Sequence, residues 1–273
     1  MPAPILVPGG AGFLGRSLVH RAATAGLEVV APPRGVLDVR DRAAVRVFVD
    51  RTTPSAIVHL AYRVDEPDTI VDGSVAVAEA AERIGARLVH LSTDVVFAGR
   101  DLPYSEDDEP DPVSPYGAAK AAAERAVRAA APAAALVRTS LLYRPDRNDG
   151  GAPVRAVQQA LRDPTSFVFF TDEIRCPAVV DDVAASVLAL ATDPALGDVH
   201  GPIHLAGPDA ISRADFAVAI ARWFDADPGV LRTATQASLG LVRPGTLVLD
   251  SSRAAALGLR CRGISDALRR NER

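Results

Sequence analysis

The chain has 273 residues with 30 Lys+Arg against 34 Asp+Glu, a formal net charge of −4 at pH 7, and 48% hydrophobic side chains. That length holds one large domain or two joined ones with a filled core, and the slightly acidic balance without a basic block excludes an electrostatic footprint for nucleic acid. Only two cysteines, Cys176 and Cys261, are present and they lie far apart, so neither a disulfide framework nor a paired-cysteine metal site is expected.

In chain order, short apolar runs alternate with longer Ala-rich segments. Ile5–Val7, Glu28–Ala31, Ala56–Leu60, Leu88–Ser92 and Leu136–Thr139 read as buried strands. Phe13–Ala25, Arg42–Arg51, Thr69–Ile84 and Tyr116–Ala131 carry helical spacing between them. This alternation predicts an α/β fold, a Rossmann-type doubly wound parallel sheet covered by helices on both faces. Pro145 to Pro153 reads as a long loop or the entry to a second unit. A helix (Val154–Arg162), a strand (Phe167–Phe170), a helix opening at Asp181–Asp182 and a strand (Ile203–Ala206) follow. Ser212 with Asp215 three residues later starts a capped helix reaching about Phe224. The division expected is a dinucleotide-binding domain at 1–147 with 167–200, and a smaller C-terminal α/β substrate-binding domain at 148–166 with 201–273. No stretch of about 18 apolar residues predicts a membrane span, and the N-terminus has no secretion-signal pattern, so a cytoplasmic protein is expected.

The first strand runs into Gly9-Gly10-Ala11-Gly12-Phe13-Leu14-Gly15, a G-x-x-G-x-x-G loop opening a helix. Glycines there let backbone N–H groups approach a pyrophosphate, and the helix N-terminus presents its positive end to the anion. The loop predicts dinucleotide binding. After the second strand comes Ala31-Pro32-Pro33-Arg34, with no carboxylate before Asp38. An arginine at that place suits a 2′-phosphate, which favours NADPH and leaves NADH open.

The 30 basic residues are 29 arginines and one lysine, and that lysine is Lys120, four residues after Tyr116 at a helix start. Positions i and i+4 share a helix face. A neighbouring ammonium is expected to lower the tyrosine pKa and make Tyr116 a proton donor or acceptor, while a surface Tyr–Lys pair is the plain alternative. Ser92 and Thr93 end the fourth strand, on the side of the sheet where ligands bind; a strand-end cap fits the same letters. His59 and His90 lie inside apolar strands and read as packed structural residues. Glu106-Asp107-Asp108-Glu109 reads as a solvated loop, and no cluster predicts a metal site.

These residues resemble those of the extended short-chain dehydrogenases/reductases, and more closely the dTDP-4-dehydrorhamnose reductase family. The resemblance rests on the run Ser92 to Gly99, Pro103-Tyr104-Ser105-Glu106, and Pro115 to Lys120 with Glu124. It extends to Leu37-Asp38-Val39, His204 to Pro208 with Ser212-Arg213, and Arg243-Pro244 leading to Leu249-Asp250-Ser251-Ser252. It implies a catalytic trio of Thr93, Tyr116 and Lys120. It also implies a cofactor lining of Gly9, Gly12, Phe13, Leu14, Gly15, Asp38, Val39, Ala61 and Tyr62, to which Arg34, Ser92, Tyr116 and Lys120 are added from the reading above, and substrate contacts from Thr93, Asp94, Val95 and Leu141. The implied activity is NADPH-dependent reduction at C4 of a dTDP-linked 4-keto-6-deoxy sugar, by a monomer or homodimer. Val95 stands where the family has tyrosine, and Leu141 where it has tryptophan. The superfamily's active-site asparagine is missing: Asn148 and Asn271 are the only asparagines, and Asp72-Gly73-Ser74 lies near its expected place. Two alternatives stay open: a related reductase or epimerase for another small ketone in natural-product assembly, and a non-catalytic NADP-binding regulatory subunit resembling methionine adenosyltransferase beta, for which loss of the Tyr–Lys pair would be the sign.

Overall fold

Alternating strand and helix signals in the first half give β1 (Ile5–Leu6), α1 (Phe13–Thr24), β2 (Val29–Val30), α2 (Arg42–Thr52), β3 (Ala56–His59), α3 (Pro67–Ile84), β4 (Arg87–Thr93), α4 (Pro115–Ala130) and β5 (Ala135–Thr139). The second half is cut into shorter pieces. These are β6 (Leu142–Tyr143), α5 (Gly151–Arg162), β7 (Phe169–Phe170), β8 (Ile174–Arg175), β9 (Ala178–Val179), α6 (Val180–Thr192), β10 (Gly201–Leu205), β11 (Ile211–Ser212), α7 (Arg213–Trp223), β12 (Thr233–Ala234), α8 (Ser252–Ala256) and α9 (Ile264–Leu268). This computed structural model describes residues 3–64, 66–241 and 243–269; Asn271 lies outside them.

Six strands form one parallel sheet in the order β10-β5-β4-β3-β1-β2. Both faces are covered, so most strand positions are apolar, and period-2 alternation sorts those residues between two cores. Ile5, Val58, Val89 and Val137 join Leu14, Leu18, Val183 and Val187 of α1 and α6 on one face. Leu6, Ile57, Leu88 and Leu136 join Val45, Val49, Val77 and Val127 of α2, α3 and α4 on the other. Strand order reverses at β1, whose neighbours are β2 and β3, and such a switch point opens a crevice beyond the carboxyl ends of the strands.

A third core gathers Tyr143, Val154, Val157, Phe169, Phe216 and Ile220 around α5 and α7. The predicted elements differ from the structure here in three respects. Helix α5 starts at Gly151, inside the stretch expected to be loop, because Pro153 sits in the first turn where its missing N–H is harmless. Strand β10 is the edge of the main sheet, paired with β5 from Gly201↔Ala135, so residues 201–205 pack with the dinucleotide-type sheet and not with the expected second unit. Conversely, β7 pairs with β12 away from that sheet, which places Phe169 in the third core. The predicted cap of α7 is present, with Ser212 Oγ accepting from Asp215 N–H at 2.9 Å.

Candidate active site

The glycine loop is pressed into the switch point. Gly9 has φ +87°, and a Cβ there would stand 2.5 Å from the Ala61 nitrogen, so only glycine lets the loop lie on the end of β3. Helix α1 then opens at Gly12 with no capping side chain and no acidic residue in its first turn. Its first amide N–H groups therefore keep their capacity for an external anion. Gly9, Gly12, Phe13, Leu14 and Gly15 all line a cleft of about 460 Å³.

The opposite wall comes from β4 and α4. Ser114 caps α4, accepting from the Gly117 N–H at 3.1 Å, and Pro115 follows at the first helical position. A Cβ on Gly117 would meet the Val95 carbonyl oxygen at 2.1 Å, so glycine lets α4 seat against the turn after β4. That seating brings Tyr116 and Lys120 to the same cleft as Ser92, Thr93, Asp94 and Val95, with Tyr62 from the β3–α3 connection and Leu141 after β5. The Tyr62 and Tyr116 ring centroids are 5.9 Å apart.

Lys120 is 4% exposed, and its Nζ donates to the Leu91 carbonyl at 2.8 Å while lying 5.1 Å from the Tyr62 ring centroid. Burial pushes its pKa down from 10.5 to about 8, against the attraction of Glu124. Tyr116 contradicts the expectation of a lowered pKa. Its phenol is pushed well above the ordinary value, first by burial, then by Tyr62 and Asp94, and the Lys120 ammonium is turned to Leu91. The phenol therefore holds its proton firmly at neutral pH.

Thr93 Oγ1 donates to Asp94 Oδ1 at 3.2 Å and accepts from the Val95 N–H at 3.4 Å. Asp94 is buried, accepts from Ser140 Oγ at 2.6 Å and lies 3.9 Å from Arg175 Nε. Burial raises its pKa despite that arginine. Ser92 borders the cleft, but its hydroxyl donates to Glu124, which is held in a fully buried ion pair with Arg138 at 2.8 Å. That contact corrects the expectation of a hydroxyl aimed at a cofactor. His59 and His90 pack beneath, ring centroids 5.3 Å apart, with burial lowering both pKa values. Of the segment near the missing asparagine, Ser74 Oγ lies 3.3 Å from His59 Nε2.

Sequence reasoning missed a charged part of the cleft lining, made by Arg155, Glu173, Arg175 and Arg213. Arg175 lies 3.4 Å from Glu173 and donates to the Pro244 and Gly245 carbonyls. Arg213 opens α7; burial lowers its pKa, Glu173 opposes that, and Arg175 and Arg243 repel it. Glu173 and Arg213 also border a second hollow of about 370 Å³ walled by Phe167, Phe169, Phe170 and Arg243. The resemblance had quoted Arg213 and Arg243 without giving them a role.

Four expected cofactor residues, Arg34, Asp38, Val39 and Ala61, lie off the cleft lining. Val39 is buried against Gly73, and Ala61 lies under Gly9. Arg34 and Asp38 stand at the carboxyl end of β2 in a charged cluster: Arg34 reaches Glu66 at 3.2 Å and Asp38 at 3.6 Å, and Asp38 holds Arg40 at 2.6 Å. An uncapped helix start at a glycine loop, with guanidinium groups beyond the neighbouring strand, fits a dinucleotide carrying a 2′-phosphate.

Comparison with known proteins agrees with this geometry. The family model described as RmlD substrate binding domain matches residues 3–270. The chain belongs to that family. A dTDP-4-dehydrorhamnose reductase of Mycolicibacterium smegmatis is 32% identical over 95% of this chain and 81% of its own length. Methionine adenosyltransferase 2 subunit beta of Bos taurus is 30% identical over 93% of the chain and 82% of its own length. The crystal structure of dTDP-4-dehydrorhamnose reductase from Bacillus anthracis in complex with NADP superposes with a TM-score of 0.85, at 25% identity, covering 98% of this chain and 96% of the other. RmlD-type structures share the six-stranded parallel sheet described above.

Proposed function

We propose that this chain is an NADPH-dependent reductase of a 4-keto-6-deoxy sugar nucleotide. The observation that carries the reading is one cleft whose lining brings together three chemistries: an anion-ready glycine loop, a Thr93–Tyr116–Lys120 group, and the cations Arg175 and Arg213. The relatives named for dTDP-4-dehydrorhamnose reduction support the substrate class, and the NADP-bound structure supports the cofactor.

Gly9, Gly12 and the first turn of α1 would hold the pyrophosphate of a dinucleotide, and Arg34 would meet its 2′-phosphate. When bound, the dihydronicotinamide supplies hydride. Tyr116, kept protonated by burial, gives its proton to the C4 oxygen as negative charge builds there. Thr93 orients that oxygen through its hydroxyl, which Asp94 anchors. Lys120 supplies a buried positive charge in the same cleft, and its ammonium would turn from the Leu91 carbonyl to hold the ribose hydroxyls. Arg213 and Arg243 take the diphosphate of the sugar nucleotide, whose base enters the hollow beside Phe170.

The test is consumption of NADPH by the purified protein with dTDP-4-keto-6-deoxy sugars and a panel of other small ketones. Turnover of the sugar nucleotide supports the reading. Turnover of another ketone alone moves the chain to a different reductase, a reading that Val95 and Leu141 favour because both are smaller than the family's residues. No turnover at all, with dinucleotide bound, overturns the enzymatic reading in favour of a binding subunit.

A further inference from the structure

Glu66 sits where three cationic side chains meet. Its carboxylate accepts from Thr69 Oγ1 at 2.7 Å and lies 2.9 Å from Arg63 Nε, 3.2 Å from Arg34 Nη2 and 3.6 Å from Arg40 Nη1. Asp38 shares two of these partners, Arg40 closely and Arg34 at 3.6 Å, and Asp68 also acts on Arg40. Arg34, Arg40, Arg63 and Glu66 are all between 29% and 50% exposed, so the cluster faces solvent. It bridges the carboxyl ends of β2 and β3, the two strands flanking β1, and the glycine loop leaves β1 between them. Several guanidinium groups and a hydroxyl converging on one anion form the donor set that phosphate oxygens take.

We propose that Glu66 is a built-in competitor for the 2′-phosphate of the dinucleotide, so that the balance between NADP and NAD is set by displacement of this carboxylate and not by Arg34 alone. The inference rests on the dinucleotide reading above. A dianionic phosphate offers each guanidinium a better partner than one shared carboxylate, and Glu66 can swing toward solvent as it yields its place. An unphosphorylated ribose offers nothing to exchange, so NAD leaves the Glu66 contacts standing. Glu66 therefore narrows the preference for NADP that the three arginines would otherwise give.

The experiment is calorimetric titration of NADP+, NAD+ and adenosine 2′-monophosphate into the wild-type protein, Glu66→Gln and Arg34→Ala. Glu66→Gln should tighten NADP+ and adenosine 2′-monophosphate by about three- to tenfold and leave NAD+ within about twofold, the range of a partly exposed charge network. Arg34→Ala should weaken the two phosphorylated ligands and spare NAD+. An equal gain for NAD+, no gain, or a loss in Glu66→Gln overturns the proposal while leaving the dinucleotide reading intact. A wild-type protein that binds neither dinucleotide overturns both. Should Glu66→Gln fail to fold, Thr69→Val removes the hydroxyl that steadies the carboxylate, and the same sign is expected.

Discussion

Lys120 makes the sharpest test of the site, because its burial carries an energetic penalty that the proposed chemistry would put to use. Its ammonium is 4% exposed with one hydrogen bond, to the Leu91 carbonyl, and burial moves its pKa from 10.5 to about 8. By linkage, that displacement destabilises the folded protein at pH 7 by about 3 kcal/mol relative to a neutral side chain in the same place. Lys120→Met keeps the unbranched shape and removes the charge, at the loss of about 1 kcal/mol for the Leu91 carbonyl left without a donor. The variant should therefore be more stable than the wild type by about 2 kcal/mol at pH 7 in urea denaturation. The folded pKa lies below the unfolded one, so between about pH 8 and 10.5 the unfolded chain keeps a proton that the folded chain has released. Wild-type stability gains from this group as pH rises through that window, and the variant has no such gain. Its advantage should shrink steadily above pH 8, while reductase turnover is lost at every pH. A variant less stable than wild type at pH 7, or a gap that ignores pH, would refute the reasoning.

Tyr116→Phe keeps the ring but removes the proton donor; kcat should fall by about 10²–10⁴-fold in steady-state assays with NADP+ affinity barely changed. In the wild type, kcat should decline above about pH 8 as Lys120 loses its charge, a limb to be read from a pH–rate profile and absent if the ammonium is idle. Glu124→Gln strands Arg138, 2% exposed, without its counter-charge, and thermal melts should report a loss of about 3–5 kcal/mol. Arg213→Ala should raise KM for the sugar nucleotide by about tenfold or more with a smaller effect on kcat, since the contact proposed for it is to the diphosphate and not to the reacting carbon.

The sheet was legible because its cause is local. Strands buried on both faces must be apolar along their length, and Ile5, Ile57, Leu88 and Leu136 announce themselves in sequence. The same holds for the glycine loop and for Tyr116 with Lys120, whose spacing alone puts them on one helix face. Strands of two residues such as β6, β8 and β9 carry too little pattern to be read, since their pairing is decided by the chain segments brought beside them. Arg175 and Arg213 were hidden by composition: among 29 arginines, only the fold shows which ones border the cleft. Glu66 was hidden likewise, because a carboxylate at a helix start looks ordinary until Arg34 and Arg40 from the β2–α2 connection and Arg63 from its own close on it.

The error over Tyr116 has a physical lesson in the same terms. Sequence spacing puts a cation four residues away, but the energy of a buried ammonium depends on which acceptor it reaches, and Lys120 reaches Leu91 on β4. Burial then governs the whole corner: the ammonium is pushed toward release of its proton, while the Tyr116 phenol and the Asp94 carboxyl are pushed toward keeping theirs. All three shifts weaken charge in the absence of a partner, and all three ease when charge of opposite sign is placed beside them. In the proposed reaction an oxyanion forming next to Lys120 would meet an ammonium with few competing contacts, and the charge growing on that oxygen would make it basic enough to draw the proton that the Tyr116 phenol otherwise keeps, which concentrates the stabilisation in the transition state. The closely packed wall of β4 and α4, set by Gly117 against Val95, is thus what buries a tyrosine and a lysine together in the geometry that the proposed proton transfer needs.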